Sequence, residues 1–249
     1  MSTSLHEPRT TAIVRATDLT KRYGAGNTAV VALDGVSIDF RAGELTAIMG
    51  PSGSGKSTLM HCVAGLETID AGGVWIDDVD LTALDDRRLT ELRRDRIGFV
   101  FQSFNLLPVL TAEENITLPL TIAGATVDQA WVDQLIDTFG LTDRRHHRPG
   151  ELSGGQQQRV AVARARASRP TVIFADEPTG NLDSKSSDEV LGLLRRAVDE
   201  LGQAVVMVTH DPHAASFADR LVVLVDGRVV HDGPAGGVDD VLARLRDLG

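Results

Sequence analysis

The stretch Leu45-Thr46-Ala47-Ile48-Met49-Gly50-Pro51-Ser52-Gly53-Ser54-Gly55-Lys56-Ser57-Thr58 decides the fold. Five residues of buried-strand character run into a glycine-rich turn, and the apolar spacing of Leu59, Met60, Cys62, Val63 and Leu66 behind it predicts a helix packed under a sheet. From Gly50 onward the run satisfies G-x-x-x-x-G-K-[ST], in which glycines let successive backbone N–H groups curl inward on a phosphate. Lys56 is then placed to reach the outer phosphate oxygens, and the Ser57 hydroxyl to ligate Mg²⁺. Gly50, Pro51, Ser52, Gly53, Ser54, Gly55, Lys56, Ser57 and Thr58 form one candidate nucleotide-phosphate site on a strand, loop and helix. The predicted class is α/β. Cys62 reads as a core residue of that helix.

Further along, three more apolar runs end in polar residues. Phe99-Val100-Phe101 closes on Gln102, Thr171 to Ala175 on Asp176-Glu177-Pro178, and Ala204 to Val208 on Thr209-His210-Asp211. Acids at the carboxyl end of a parallel strand sit beside a phosphate loop. Asp176 there can hold Mg²⁺ through water, and Glu177 can polarise an attacking water. The Gln102 amide oxygen suits the metal or that water, and equally suits a plain strand boundary. His210 fits a sensor of the terminal phosphate, with an ordinary surface histidine as its alternative.

Leu152-Ser153-Gly154-Gly155-Gln156-Gln157-Gln158-Arg159 is a second anion site by its chemistry. Ser153 is a helix N-cap candidate, and the glycines behind it leave bare N–H groups at the positive end of a helix that runs to about Ala167. Two phosphate-binding helix starts and one nucleotide require either that both grip the same ligand or that another copy shares it. Gly180-Asn181-Leu182-Asp183 turns the chain into a helix over Ser184 to Leu201. Upstream, Tyr23 in Lys21-Arg22-Tyr23-Gly24 occupies a glycine-bounded turn, where its ring either stacks on a base or is an ordinary half-buried aromatic.

The remainder frames these sites. Residues 1–10 are polar and aperiodic and read as a disordered tail before a first strand near Ala12-Ile13-Val14. Val36 to Phe40 and Trp75 to Val79 read as strands. Leu84 to Asp95, Ala112 to Ala123 and Val127 to Phe139 read as helices. Arg220 to Val225 and Arg228 to His231, joined by Asp226-Gly227, form a hairpin before a last amphipathic helix. Ser103 to Leu110 is more apolar than a solvated loop and reads as a docking surface. Arg144 to Arg148 with His146 and His147 reads as a solvated basic loop rather than a metal site. A formal charge of -10 over 249 residues and a pI near 5.1 argue against a nucleic-acid partner. The single cysteine and the lack of an opening signal segment point to a reducing compartment. No apolar run approaches the roughly 20 residues that span a bilayer.

Taken in order, Tyr23, the loop Gly50 to Thr58, Gln102, Leu152 to Gln156, Asp176-Glu177, Asp183 and His210 resemble the ATP-binding subunits of ABC transporters, and the resemblance runs from about Val14 to Gly233. It implies a P-loop NTPase with a RecA-like core, an antiparallel β subdomain and a helical subdomain inserted over about 103–168, all in one domain over 11–233, followed by a C-terminal helix over 234–249. It implies ATP and Mg²⁺ as cofactors. Glu177 is then the general base, His210 positions the terminal phosphate, Lys56 stabilises charge and Gln102 acts at the metal. Ser57, Gln102 and Asp176 belong to the metal, and Tyr23, the loop, Asp183 and Ser153, Gly154 and Gly155 of a second copy hold the nucleotide. Phe101 to Pro108 and Gly180 to Asp183 further resemble the lipoprotein-release and macrolide-export subgroup, which implies a membrane permease partner with a large extracytoplasmic domain, at the cytoplasmic face of the membrane. The alternatives are a regulatory ATPase clamp of a cell-envelope complex, an importer ATPase, and a soluble relative acting on nucleic acid or ribosomes.

Overall fold

In the computed structural model, residues 12–24 and 29–247 are described. Strands β1 (Ala12–Tyr23) and β2 (Val30–Arg41) open the fold, and β3 (Leu45–Met49) leads through the glycine-rich turn into α1 (Lys56–Val63). β4 (Ala71–Ile76), β5 (Val79–Asp80), α2 (Asp86–Arg96) and β6 (Ile97–Phe101) follow. Three helices come next, α3 (Ala112–Ile122), α4 (Gln129–Thr138) and α5 (Gly154–Ala167), then β7 (Val172–Asp176), α6 (Ser184–Leu201) and β8 (Ala204–Val208). A short α7 (Pro212–Ala215), the hairpin β9 (Arg220–Val225) and β10 (Arg228–Pro234), and α8 (Val238–Asp247) complete it.

The strands divide into two sheets. One is antiparallel, ordered β2-β1-β4-β5; the other is ordered β10-β9-β3-β8-β7-β6 and is parallel except for the edge strand β10. Side chains alternate across a strand, so each central strand feeds two cores. Leu45, Ala47 and Met49 face the cluster that holds α3, α4, α5 and α6, while Ile48 faces the cluster shared with α1 and the antiparallel sheet. β8 divides the same way, with Val205 and Met207 on one side and Ala204, Val206 and Val208 on the other. A strand with no polar face reads as a continuous apolar run, which is why β3, β7 and β8 were legible. The P-loop α/β class with its antiparallel β sheet is the architecture observed.

Local chemistry sets the ends. Asp183 caps α6 by accepting from the Ser186 N–H, and Gly202 ends it in the left-handed region. Asp226 and Gly227 both have positive φ, the requirement of the tight hairpin turn between β9 and β10.

Several expectations need correction. Tyr23 is the last residue of β1, paired with Val30, rather than part of a turn. Trp75 to Val79 is not one strand: Asp77, at φ 51, turns the chain between β4 and β5. α1 stops at Val63, so Leu66 lies beyond it and is 45% exposed instead of packed under the sheet. Arg145 is no solvated member of a basic loop, because Glu113 and Asp133 hold it at 2.6 and 2.9 Å. The expected tail over 1–10 lies outside the described residues.

Candidate active site at the strand ends

The parallel sheet brings four chain segments to one rim. β3 ends at the phosphate loop, β7 at Asp176-Glu177, β8 at Thr209-His210 and β6 at Gln102, with β3 next to β8, β8 next to β7 and β7 next to β6. Ligands of such sheets sit outside the carboxyl ends of the strands.

The loop is built around backbone. Gly50 lies at φ +147, and a Cβ there would stand 2.0 Å from the Leu224 carbonyl oxygen of β9, so no other residue fits. Gly55, at φ 101, occupies the N-cap of α1 and supplies no side-chain cap, which leaves the first helical N–H groups free for an anion. Within the loop the Ser54 hydroxyl is buried without a partner. Lys56 donates to the Gly50 and Pro51 carbonyls at 2.9 and 2.7 Å, so the ammonium folds over the loop it serves. Burial lowers its pKa, opposed by the charges of Glu177 and Asp176.

Ser57 Oγ lies 3.4 Å from Asp176 Oδ1. The Asp176 carboxyl is raised above its ordinary value, chiefly by burial and further by Glu177, while His61, Ser57 and Lys56 pull it down. Magnesium fits these residues. The Ser57 hydroxyl and an Asp176 carboxylate oxygen converge at 3.4 Å. Mg²⁺ commonly takes one or two protein oxygens and fills its shell with phosphate and water.

Glu177 sits at φ 48, a left-handed conformation that is unfavourable for a residue with a Cβ. Its N–H donates to the Val208 carbonyl, which fixes the turn against β8. Its carboxylate meets His210 Nδ1 at 2.9 Å, and His210 is otherwise largely exposed. A carboxylate beside an exposed imidazole, near a lysine and a phosphate loop, is an arrangement for activating water at a phosphorus atom.

The other candidates lie elsewhere. Gln102 bonds not to Ser57 or Asp176 but to Asn181, through Gln102 Nε2 to Asn181 Oδ1 at 3.2 Å and Asn181 Nδ2 to the Gln102 carbonyl at 3.1 Å. Ser153 caps α5 in a reciprocal box with Gln156: its Oγ accepts from the Gln156 N–H, and Gln156 Oε1 accepts from the Ser153 N–H. The Ser153 hydroxyl proton remains available to an anion. Among the described residues no hydrogen bond joins Ser153–Gly155 to residues 50–58. Asp183 spends its carboxylate on Ser186, whose N–H and hydroxyl it accepts at 3.0 and 2.7 Å. Tyr23, 42% exposed, carries the Lys21 ammonium 5.1 Å from its ring centroid.

Sequence reasoning missed three residues of the site's surroundings. His61 Nε2 lies 3.9 Å from Asp176 Oδ2, and its position four residues after Ser57 on α1 was the available signal. Asn181 gave none, since its partner Gln102 is remote in sequence. Gln158, fully buried, donates to the Pro178 carbonyl at 2.5 Å and the Phe101 carbonyl at 3.3 Å, tying α5 to the ends of β7 and β6.

A phosphate loop, two acids and a histidine on neighbouring strand ends, and a second glycine-led helix define a P-loop nucleotide hydrolase with a signature helix. The chain belongs to the ABC transporter family, whose model matches residues 33–180. It is similar to the lipoprotein-releasing system ATP-binding protein LolD of Geobacter metallireducens, 47% identical over 222 residues that make up 88% of this chain and 99% of that protein. It is 46% identical over 222 residues to the macrolide export ATP-binding/permease protein MacB of Marinobacter nauticus, covering 88% of this chain and 34% of that longer protein. Among solved structures, the dimeric post-hydrolysis state of the ATP-binding cassette MJ0796 bound to ADP and Pi superposes with a TM-score of 0.79 at 43% identity, over 90% of this chain and 99% of that one. The chain is accordingly an ATP-binding subunit that hydrolyses ATP. None of its described helices is long and apolar enough to cross a membrane.

Proposed function

We propose that the chain is the motor half of an exporter or mechanotransmission complex and acts as a head-to-tail dimer. ATP lies on Gly50–Thr58 of one copy, with Tyr23 against its base, and is closed by Ser153, Gly154 and Gly155 of the other, with the partner's Asp183 loop alongside. The observation that carries this reading is the separation of the two anion sites: each is a prepared helix start, and among the described residues no hydrogen bond joins them within one chain. The dimeric relative bound to ADP and Pi supports it.

Ser57, Gln102 and, through water, Asp176 would hold Mg²⁺, which when bound would neutralise charge on the phosphate oxygens. Lys56 and the loop N–H groups hold the phosphates. Glu177 takes the proton of the attacking water, and His210 keeps that carboxylate aimed. Loss of the terminal phosphate removes the anion between the two copies and lets them part.

Residues 103–168 serve as the helical subdomain, and the segment from Gln102 to Leu110 is the contact with an integral membrane permease at the cytoplasmic face. Val109 is 72% exposed and Leu107 44%, a solvation cost with no benefit inside the chain. The likeness to LolD and to MacB, a macrolide export ATP-binding/permease protein, supports export through a permease; a large extracytoplasmic domain on that permease is part of the proposal. The test is Ser153→Arg: nucleotide binding is retained while ATP-dependent dimerisation and turnover are lost. Full turnover by a strictly monomeric preparation would show that the site is complete in one copy.

A further inference from the structure

The segment after Gln102 has a backbone it does not adopt unaided. Phe104 and Asn105 lie consecutively in the left-handed region, at φ 57 and 51, and for a bulky phenylalanine that is an outlier. One side chain meets both. Arg164 of α5 donates from Nη1 to the Asn105 carbonyl at 2.6 Å and from Nη2 to the Phe104 carbonyl at 2.9 Å. Its surroundings are dry enough that burial lowers its pKa. A guanidinium offers a rigid fork for two acceptors, whereas an ammonium is a point charge that does not hold both in one plane.

The far end of the loop is held separately. Asn115 of α3, buried, donates to the Leu107, Leu110 and Thr111 carbonyls and accepts from the Leu107 N–H at 2.8 Å. Between these anchors stand the exposed Leu107, Pro108 and Val109. Arg164 lies on the helix that Ser153 caps, roughly 16 Å away along the axis at about 1.5 Å per residue. The buried Gln158 fastens that helix midway to the Phe101 and Pro178 carbonyls.

We propose that Arg164 is a positioning residue that sets the loop 103–110 from the signature helix, so that one rigid element carries both the nucleotide-facing Ser153 and the shape of the apolar loop. The docking role of that loop rests on the reading under Proposed function; the clasp itself does not. Coupling of this kind is reciprocal, so engagement of ATP at Ser153 alters the loop, and occupancy of the loop alters ATP affinity.

Amide hydrogen exchange on the full chain tests it. Arg164→Lys keeps the charge and most of the stem, and is expected to speed exchange at Phe104 to Leu107 by about tenfold while α5 amides and ATP affinity stay as in the parent. Unchanged exchange in that variant overturns the clasp. Arg164→Gln, with one donor group and no charge, gives a second reading should the first variant unfold. Independently, in Glu177→Gln with Mg²⁺-ATP, protection at residues 104–107 is expected to differ from the nucleotide-free state; no difference on closure overturns the coupling. Val109→Asp separates the docking reading from the clasp. It is expected to leave exchange at residues 104–107 at the parent rate while abolishing stimulation of ATPase by the membrane partner in vesicles. Stimulation that survives Val109→Asp removes the docking reading alone, and the clasp stands or falls on the exchange rates.

Discussion

His210 Nδ1 lies 2.9 Å from Glu177 Oε1, joining the ends of β8 and β7 across the mouth of the phosphate site. The contact places a proton acceptor and its orienting partner on adjacent strands, where sheet register rather than loop flexibility fixes their spacing. The two substitutions that probe it have different signatures. Glu177→Gln keeps a hydrogen-bonding partner for His210 but loses the base, so ATP binding persists and the hydrolysis step falls by about 10²- to 10⁴-fold. His210→Ala keeps the base but frees its carboxylate, and slows the same step without a matching loss of ATP affinity. Single-turnover rates with bound ATP measure both; parental turnover in Glu177→Gln would take the base role away from that residue.

Gly155 is confined by Ser186. A Cβ at position 155 would lie 2.9 Å from Ser186 Oγ and 3.0 Å from its Cβ, and Ser186 is itself held by Asp183. Gly155→Ala therefore strains the join between α5 and the cap of α6, at a cost of about 1–3 kcal/mol in unfolding free energy. Ser186→Gly in the same chain restores most of that loss. Denaturant titration of the single and double variants decides the matter, and an equal loss in both would place the strain elsewhere.

Gln158 is buried and supplies the amide donor for two strand-end carbonyls. Gln158→Leu leaves the Pro178 and Phe101 oxygens without that donor and destabilises the chain by about 1–3 kcal/mol. A melting temperature equal to the parent's would mean that water or another group takes over both oxygens.

The cluster of Glu113, Arg145, Asp133 and Gln129 gives a pH signature. Hydrogen bonds from Arg145, and then from Gln129, hold the Glu113 carboxyl below its ordinary 4.5 against the opposing effect of burial. A depressed carboxyl contributes stability that is present above 4.5 and is lost as pH falls through its folded value. Glu113→Gln is expected to lower stability at neutral pH by about 1 kcal/mol and to flatten the fall in stability as pH drops below 4.5. Unfolding midpoints taken along that series check it; parallel curves for parent and variant would deny the cluster a role in acid stability.

The sequence made the parallel core legible because β3, β7 and β8 lack a polar face, and because α6 carries a capping aspartate at one end and a glycine at the other. The antiparallel sheet was harder to read. β2 spans twelve residues, but only Val36 to Phe40 alternated cleanly, since Asp34 and Gly35 interrupt the period where the pairing with β1 shifts register. At the site, Lys56, Ser57, Asp176, Glu177 and His210 could be placed together because each sits at the end of a recognisable strand or loop. The partner of Gln102 could not, because an amide pair between remote turns leaves no period to detect. Arg164 was hidden for a similar reason: on a helix its spacing says only which face it shares, and its two acceptors are backbone atoms that any sequence possesses.

β3 stands between β8 and β9, with Leu45 opposite Val205 and Thr46 opposite Arg220. A chain leaving the ribosome amino end first therefore displays a complete phosphate-loop sequence long before the two strands that flank β3 exist. Gly50 takes its shape against the Leu224 carbonyl, which is among the last parts of the sheet to be synthesised. The motif is local in sequence but the pocket is not: its shape depends on strand pairings and a backbone contact that join residues 45–50 to residues 205–224.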